Sequence, residues 1–342
     1  MKTANVSRVV PLLVAALLAG CWDESAGDAS EARGLVFEVP SKWSDWSEAV
    51  NIGTPVNAGG NPEQPGCFSK DGLSFYITSG SVRGGGFGGL DLWVCERASV
   101  DDPWGAPQNL GSTINTSFRD ENPVLSLDEH RLYFSSNRTG GIGSWDFYMC
   151  HRQDKSDNSG WGAPVNLGST INTADNEDAL TMFEDEETGE IIVYFASNRR
   201  DPSAPGGGDF DLYETRLLAD GTFAAAELMD VVNVEVHRDR APFVRRDGLE
   251  LFIQSTRPGG LGGADLWVST RPSTSDPWSD PVHMGSTINS PTRDPNLEQS
   301  NDVSPLLSRD GTTLFWSSAF RPGNLGVGGF DIWVSTRTKL KN

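Results

Sequence analysis

A five-bladed, all-β propeller is the fold class this chain predicts, and three observations carry the prediction. One stretch occurs five times: an arginine, a glycine-rich loop, an aspartate, then a short strand of alternating apolar residues. It is plainest as RPGGLGGADLWVSTR over 257–271 and RPGNLGVGGFDIWVSTR over 321–337. The repeated aspartates, Asp91, Asp146, Asp211, Asp265 and Asp331, lie 54 to 66 residues apart, room for one four-stranded antiparallel unit each. The last unit stops soon after its third strand, and the missing fourth stands at the front, where WSEAVNIG over 46–53 matches WGAPVNLG over 161–168. A ring whose outer strand comes from the N-terminus has no free edges, so it resists edge-to-edge pairing, and a monomer is expected.

Residues 1–20 read as a leader. Lys2 and Arg8 form a positive end, and Val9–Leu18 is an apolar run broken by Pro11 and too short to span a bilayer comfortably. It ends in Leu18-Ala19-Gly20-Cys21, which resembles the bacterial lipobox. That resemblance implies a diacylglycerol on the Cys21 thiol, an acylated (palmitate-bearing) mature N-terminus and a lipid anchor in place of a membrane span. Trp22 after the cysteine, where aspartate would signal retention, implies the outer membrane of a Gram-negative envelope. Residues 21–41 are small and acidic without periodicity, as expected of a flexible tether. The propeller occupies 42–342.

Within one unit, Asn122–Ser126 reads as a first strand, Leu132–Ser136 as a second, Asp146–Arg152 as a third and Ala163–Leu167 as a fourth. The motif aromatics Trp93, Tyr148, Tyr213, Trp267 and Trp333 fall where they would pack between blades. Cys67 and Cys95 belong to the first and third strands of one blade, about 9–10 Å apart, which is beyond disulfide reach. With Cys150 they read as buried apolar residues.

The stretches PGCFSKDG (65–72), PFVRRDG (242–248) and PLLSRDG (305–311) resemble the start of the TolB-type, WD-repeat-like propeller repeat, as do LYFSS and DLWVS after them. The resemblance covers nearly all of the chain after Lys42. It implies the propeller fold and an envelope protein, and leaves function open. Two features depart from it: no α/β domain precedes the propeller, and the third blade carries a longer acidic hairpin, MFEDEETGE over 182–190.

Five arginines open the glycine-rich loops: Arg83, Arg138, Arg199, Arg257 and Arg321. Ion pairing of each with the aspartate of its own motif is the expected way to close that loop. The loops from a fourth strand to the next first strand begin at Asn57, Asn115, Asn172, Asn233 and Asn289. Each is taken to end on an acid, Glu63, Glu121, Glu177, Asp239 or Asp302, so that five carboxylates ring the mouth of the central channel. His237, beside Arg238, Asp239 and Arg240, adds the one chemically unusual loop. A cation such as calcium, a basic peptide segment or a polar glycan suits such a ring, and no cofactor is called for.

The formal charge of −20 argues against nucleic acid as a partner. His130, His151, His237 and His283 are scattered, which fits neither a zinc site nor a catalytic triad. A sialidase-type Asp box is absent, since glycine directly follows Asp71, Asp247 and Asp310. Near-symmetric acids favour a non-enzymatic, lipid-anchored binding module for an envelope protein or cell-wall glycan. The alternative is a polysaccharide-active glycoside hydrolase, as in the arabinanase-like five-bladed propellers, using two of the ring carboxylates.

Overall fold

The computed structural model describes residues 42–58, 61–80, 83–199, 209–291, 301–319, 321 and 329–341. The leader, Cys21 and the tether lie outside them, as do parts of the glycine-rich loops after Arg199 and Arg321 and residues 59–60, 81–82 and 292–300.

Five four-stranded antiparallel sheets follow one another. The first blade is β2 (Glu63–Phe68), β3 (Ser74–Gly80), β4 (Leu90–Glu96) and β5 (Gln108–Asn109), and the second is β6 (Asp120–Leu125), β7 (Arg131–Ser136), β8 (Asp146–His151) and β9 (Val165–Asn166). The third is β10 (Glu177–Glu184), β11 (Ile191–Ser197), β12 (Asp211–Leu217) and β13 (Glu227–Leu228). The fourth is β14 (Asp239–Val244), β15 (Glu250–Ser255), β16 (Asp265–Thr270) and β17 (Val282–His283), followed by a single-turn helix α1 (Gly285–Ile288). In the fifth, β18 (Asn301–Leu307), β19 (Thr313–Ala319) and β20 (Phe330–Thr336) are joined by β1 (Val50–Asn51) from the N-terminus.

The expected closure is therefore present. Val50 faces Val334 and Asn51 faces Trp333. The seam runs on through Ser47 N–H to Thr336 O at 2.8 Å and Ser44 N–H to Thr338 O at 2.9 Å. Arg337 lies over the rings of both Trp43 and Trp46, which staples the closing segment to the last blade. Every outermost strand is only two residues long, shorter than the alternation suggests. In the second blade Pro164, which cannot donate, and Gly168, which turns at φ 75°, bracket the pairing.

The core consists of the seams between blades. Tyr148 packs with Tyr76 and Leu92 of the first blade, Trp267 with Tyr194 and Leu212 of the third, and Trp333 with Phe252 and Leu266 of the fourth. Tyr213 and Trp93 fill the two remaining seams, so the motif aromatics take the expected place. Cys67, Cys95 and Cys150 are free, buried thiols.

Each innermost strand carries a bulge. In the second to fifth blades the bulged residue is Asn122, Ala179, Ala241 or Ser304, with φ between 44° and 57°. In the first blade the register slips at Gly66 instead, where a Cβ would sit 2.4 Å from the Pro123 side chain of the next blade. Left-handed backbone at a non-glycine residue costs about 1–3 kcal/mol, and a bulge re-aims the side chains beside it. Deleting residues 46–53 should strip the last blade of its outer strand and open the ring. Thermal unfolding is then expected at least about 10 °C lower and less cooperative, and a wild-type melting curve would rule out this closure.

Candidate functional site

In every blade the acid that begins the innermost strand is completely buried and faces the arginine of its own glycine-rich loop. Arg83 Nη2 donates to Glu63 Oε1 at 2.7 Å, Arg138 Nη2 to Asp120 Oδ1 at 2.6 Å and Arg257 Nη2 to Asp239 Oδ1 at 2.7 Å. Arg199 reaches Glu177 at 3.1 Å, and Arg321 lies 3.8 Å from Asp302, whose Oδ1 also accepts Trp316 Nε1 at 3.0 Å. The same guanidiniums donate to a carbonyl of the loop before the strand, such as Ile114 or Val232, and lie over the motif aromatic 4.8–6.0 Å from its centroid. Glu63 keeps one oxygen, Oε2, buried without a partner, so burial outweighs Arg83 and pushes its carboxyl up to about 8.

The expected pairing of each arginine with its own motif aspartate is thus corrected in the first, second and fourth blades. Asp91 accepts the backbone N–H of Phe87 at 2.6 Å and of Gly88 at 3.2 Å, and Asp146 and Asp265 hold their loops in the same way. The outermost strand supplies a further donor: Asn109 to Asp91, Asn166 to Asp146, Asn51 to Asp331. A glycine-rich turn leaves its own N–H groups pointing inward, and the nearest carboxylate caps them. The arginine is then free to reach the neighbouring strand. Asp211 is equally buried at its repeat position.

The expected ring of channel-mouth acids needs a second correction. The residue equivalent to Glu63, Glu177, Asp239 and Asp302 is Asp120, not Glu121: these five face Ser79, Ser197, Ser255, Ser318 and Ser136 in register. Glu121 belongs to the next position, on the opposite side of the strand. Across the five blades that position reads Gln64, Glu121, Asp178, Arg240 and Val303, so its chemistry differs in every blade.

These side chains meet across blade seams. Asn122 Nδ2 donates to Asp178 Oδ1 at 2.6 Å, and Asp178 Oδ2 pairs with Arg240 Nη2, linking the second, third and fourth blades. Innermost strands of three successive blades can be joined by so short a chain only near the channel axis. Glu121 is buried, with Arg119 Nε 2.6 Å from its Oε1. Burial pushes the Glu121 carboxyl up to about 7; Arg119 opposes the shift, and the neighbouring Asp178 charge adds to it. Just past these residues the channel opens into a cavity of about 270 Å³ walled by Phe68, Val124, Leu180, Met182, Phe243 and Leu306.

His237 sits half-buried in the loop before β14, where its backbone N–H donates to Val234 O at 3.2 Å. Among the described residues no three or more His, Cys, Asp or Glu side chains are gathered as a metal site would need. Sequence reasoning missed Asp178, Arg119 and the asymmetry of the second position. The signal was the pair of adjacent acids, Asp120-Glu121 and Glu177-Asp178, set against Glu63-Gln64, Asp239-Arg240 and Asp302-Val303. It missed too the loop asparagines: Asn115 accepts Leu92 N–H and donates to Leu92 O, and Asn172, Asn289 and Asn57 grip Phe147, Leu266 and Ile332 likewise.

No family model and no curated protein sequence matches the chain. Solved structures do. The catalytic domain of a GH62 α-L-arabinofuranosidase from Coprinopsis cinerea superposes with TM-score 0.54 at 14% identity, covering 87% of this chain and 98% of that one. An α-L-arabinofuranosidase from Lactobacillus brevis gives 0.53 at 13% identity, covering 80% and 89%. An α-L-arabinofuranosidase from Podospora anserina, in complex with cellotriose, gives 0.52 at 11% identity, covering 87% and 98%. Identity this low makes the likeness one of fold.

The expected kinship with TolB-type propellers is corrected by these matches, which are to five-bladed glycoside hydrolases. The expectation of a non-enzymatic binding module falls with it. That expectation rested on near-equivalent acids at the mouth, and the residues that reach the axis are not equivalent. The buried arginines, in contrast, belong to the scaffold: Arg257→Met should destabilise the protein by about 3–5 kcal/mol by leaving Asp239 buried and unpaired. Equilibrium urea unfolding checks this, and a loss below about 1 kcal/mol would mean the lock carries little of the fold's stability.

Proposed function

We propose that this chain is a glycoside hydrolase acting on a polysaccharide at the axial mouth of the propeller. The observation that carries the proposal is the unequal carboxyl pair, Glu121 and Asp178, at the register position that follows the locked acid. Hydrolysis of a glycosidic bond needs two carboxyl groups in different states: one holding a proton for the leaving oxygen, one bearing charge beside the anomeric carbon. Glu121 suits the first role, because burial holds its proton to about pH 7 against the opposing charge of Arg119. Asp178 suits the second, with Arg240 and Asn122 fixing its two oxygens.

In the step proposed, the glycosidic C–O bond breaks as the Glu121 proton passes to the departing oxygen. Asp178 supplies negative charge to the oxocarbenium-like centre; water then bonds through its oxygen to the anomeric carbon, and the proton it loses restores the acid form of Glu121. The fold likeness to arabinofuranosidases and to a thermostable family-43 glycoside hydrolase supports the class of reaction.

Purified protein should release sugar from at least one of arabinan, arabinoxylan, glucuronoxylan and polygalacturonate. Glu121→Gln and Asp178→Asn should each cost at least about a hundredfold in kcat. Because the acid must be protonated, kcat/KM should fall as the pH rises through about 7. Absence of turnover on every polymer, or full activity in both variants, would remove the proposal.

A further inference from the structure

Two arginines beside the carboxyl pair are built differently from every repeat arginine. The repeat guanidiniums are buried and spend their nitrogens on the protein: Arg257, for example, donates to Ser255, to Val232 O and to Asp239. Arg119 instead brings Nε to 2.6 Å from Glu121 Oε1, its guanidinium lies 5.5 Å from the centroid of Trp145, and its side chain is 48% exposed. Arg240 places only Nη2 against Asp178, lies 4.3 Å over Phe210 and is 32% exposed. Among the described residues the Nη groups of Arg119, and Nε and Nη1 of Arg240, make no hydrogen bond.

An arginine held by one nitrogen and by an aromatic face keeps the rest of its planar fork oriented, and that fork matches a carboxylate through two parallel N–H···O bonds. Neutral pentose or hexose hydroxyls do not need two such forks flanking one acid pair. With its proton on, Glu121 leaves the group Arg119, Asp178 and Arg240 with one positive charge in excess. The chain as a whole carries −20, a field that disfavours anionic polymers at a distance. Salt screens that field within about 8–10 Å, whereas guanidinium contacts act directly, so the mouth can select what the rest of the surface repels.

We propose that the site takes a uronic-acid-bearing glycan, its carboxylate gripped by the free guanidinium edges of Arg119 and Arg240. The inference rests on the hydrolase reading above for its chemistry, and on the two arginines alone for its selectivity.

The test sets glucuronoxylan, polygalacturonate and alginate each against the same polymer after chemical reduction of its carboxyls. Hydrolysis is followed with the full-length protein, and binding of the matching oligosaccharides by calorimetry. Expected is a kcat/KM at least about tenfold higher for one acidic polymer than for its reduced form, the loss of one charged bidentate contact. Arg119→Gln should bring that ratio close to one, mainly through KM, and Arg119→Lys should restore it only in part. Equal hydrolysis of acidic and reduced polymers overturns the inference and leaves the hydrolase standing. Tighter binding of acidic oligosaccharides without any turnover overturns the hydrolase and sustains the inference. Binding of neither form overturns both.

Discussion

The ring depends on a buried guanidinium that ties three pieces of backbone together in each blade. Arg138 shows the pattern: it donates to Asp120 at the start of the innermost strand, to Ser136 at the end of the second and to Ile114 O in the incoming loop, while lying over Tyr148. Burying a charge costs several kcal/mol unless it is paired and its hydrogen bonds are met. Here the carboxylate, the hydroxyl and the carbonyl meet them together, so the arrangement is stable only when all three segments are in place. The first four blades carry it in full, and in the fifth Arg321 donates to Ile288 O and Thr287 O and lies 3.8 Å from Asp302; with the loop asparagines gripping the preceding blade, it sets the spacing of the inner strands around the axis.

That lock divides the work along each innermost strand. The first residue must be an acid and must turn outward to the arginine, so Glu63, Asp120, Glu177, Asp239 and Asp302 are committed to holding the blade. The second residue turns the other way and carries no such obligation. Gln64, Glu121, Asp178, Arg240 and Val303 therefore differ freely, and the bulge that follows them aims them at the mouth. A symmetric frame in this way carries an asymmetric group of side chains, which is what acid–base chemistry needs.

Most of the fold was legible in the chain. The motif aromatics lie where repetition puts them, because every blade needs one at its seam; the free cysteines follow from strand alternation, and the N-terminal closing strand from the fourth strand that the last unit lacks. The site was less legible for one physical reason: strands alternate with a period of two, so a one-residue error moves a side chain to the opposite face. Asp120 and Glu121 are adjacent acids, and aligning the second with Glu63 and Glu177 made five acids appear equivalent when one of them belonged to another row. Asp178 was hidden by the same shift. The motif arginine and aspartate were misjudged differently: proximity in sequence suggested a pair, but the glycine-rich turn claims the aspartate with its own N–H groups. The third blade departs visibly in sequence through its acidic hairpin, yet it keeps the lock of Arg199 on Glu177.

The division between a locked row and a free row is tested most directly by the carboxyl titration of Glu121, followed by 13C NMR in the folded protein and in Asp178→Asn. The account predicts a midpoint near 7 in the wild type and a lower one in the variant, because removing the Asp178 charge makes ionisation of its neighbour easier. A wild-type midpoint in the ordinary glutamate range, unmoved by the substitution, would mean that the two carboxyls do not share a site and would contradict the account.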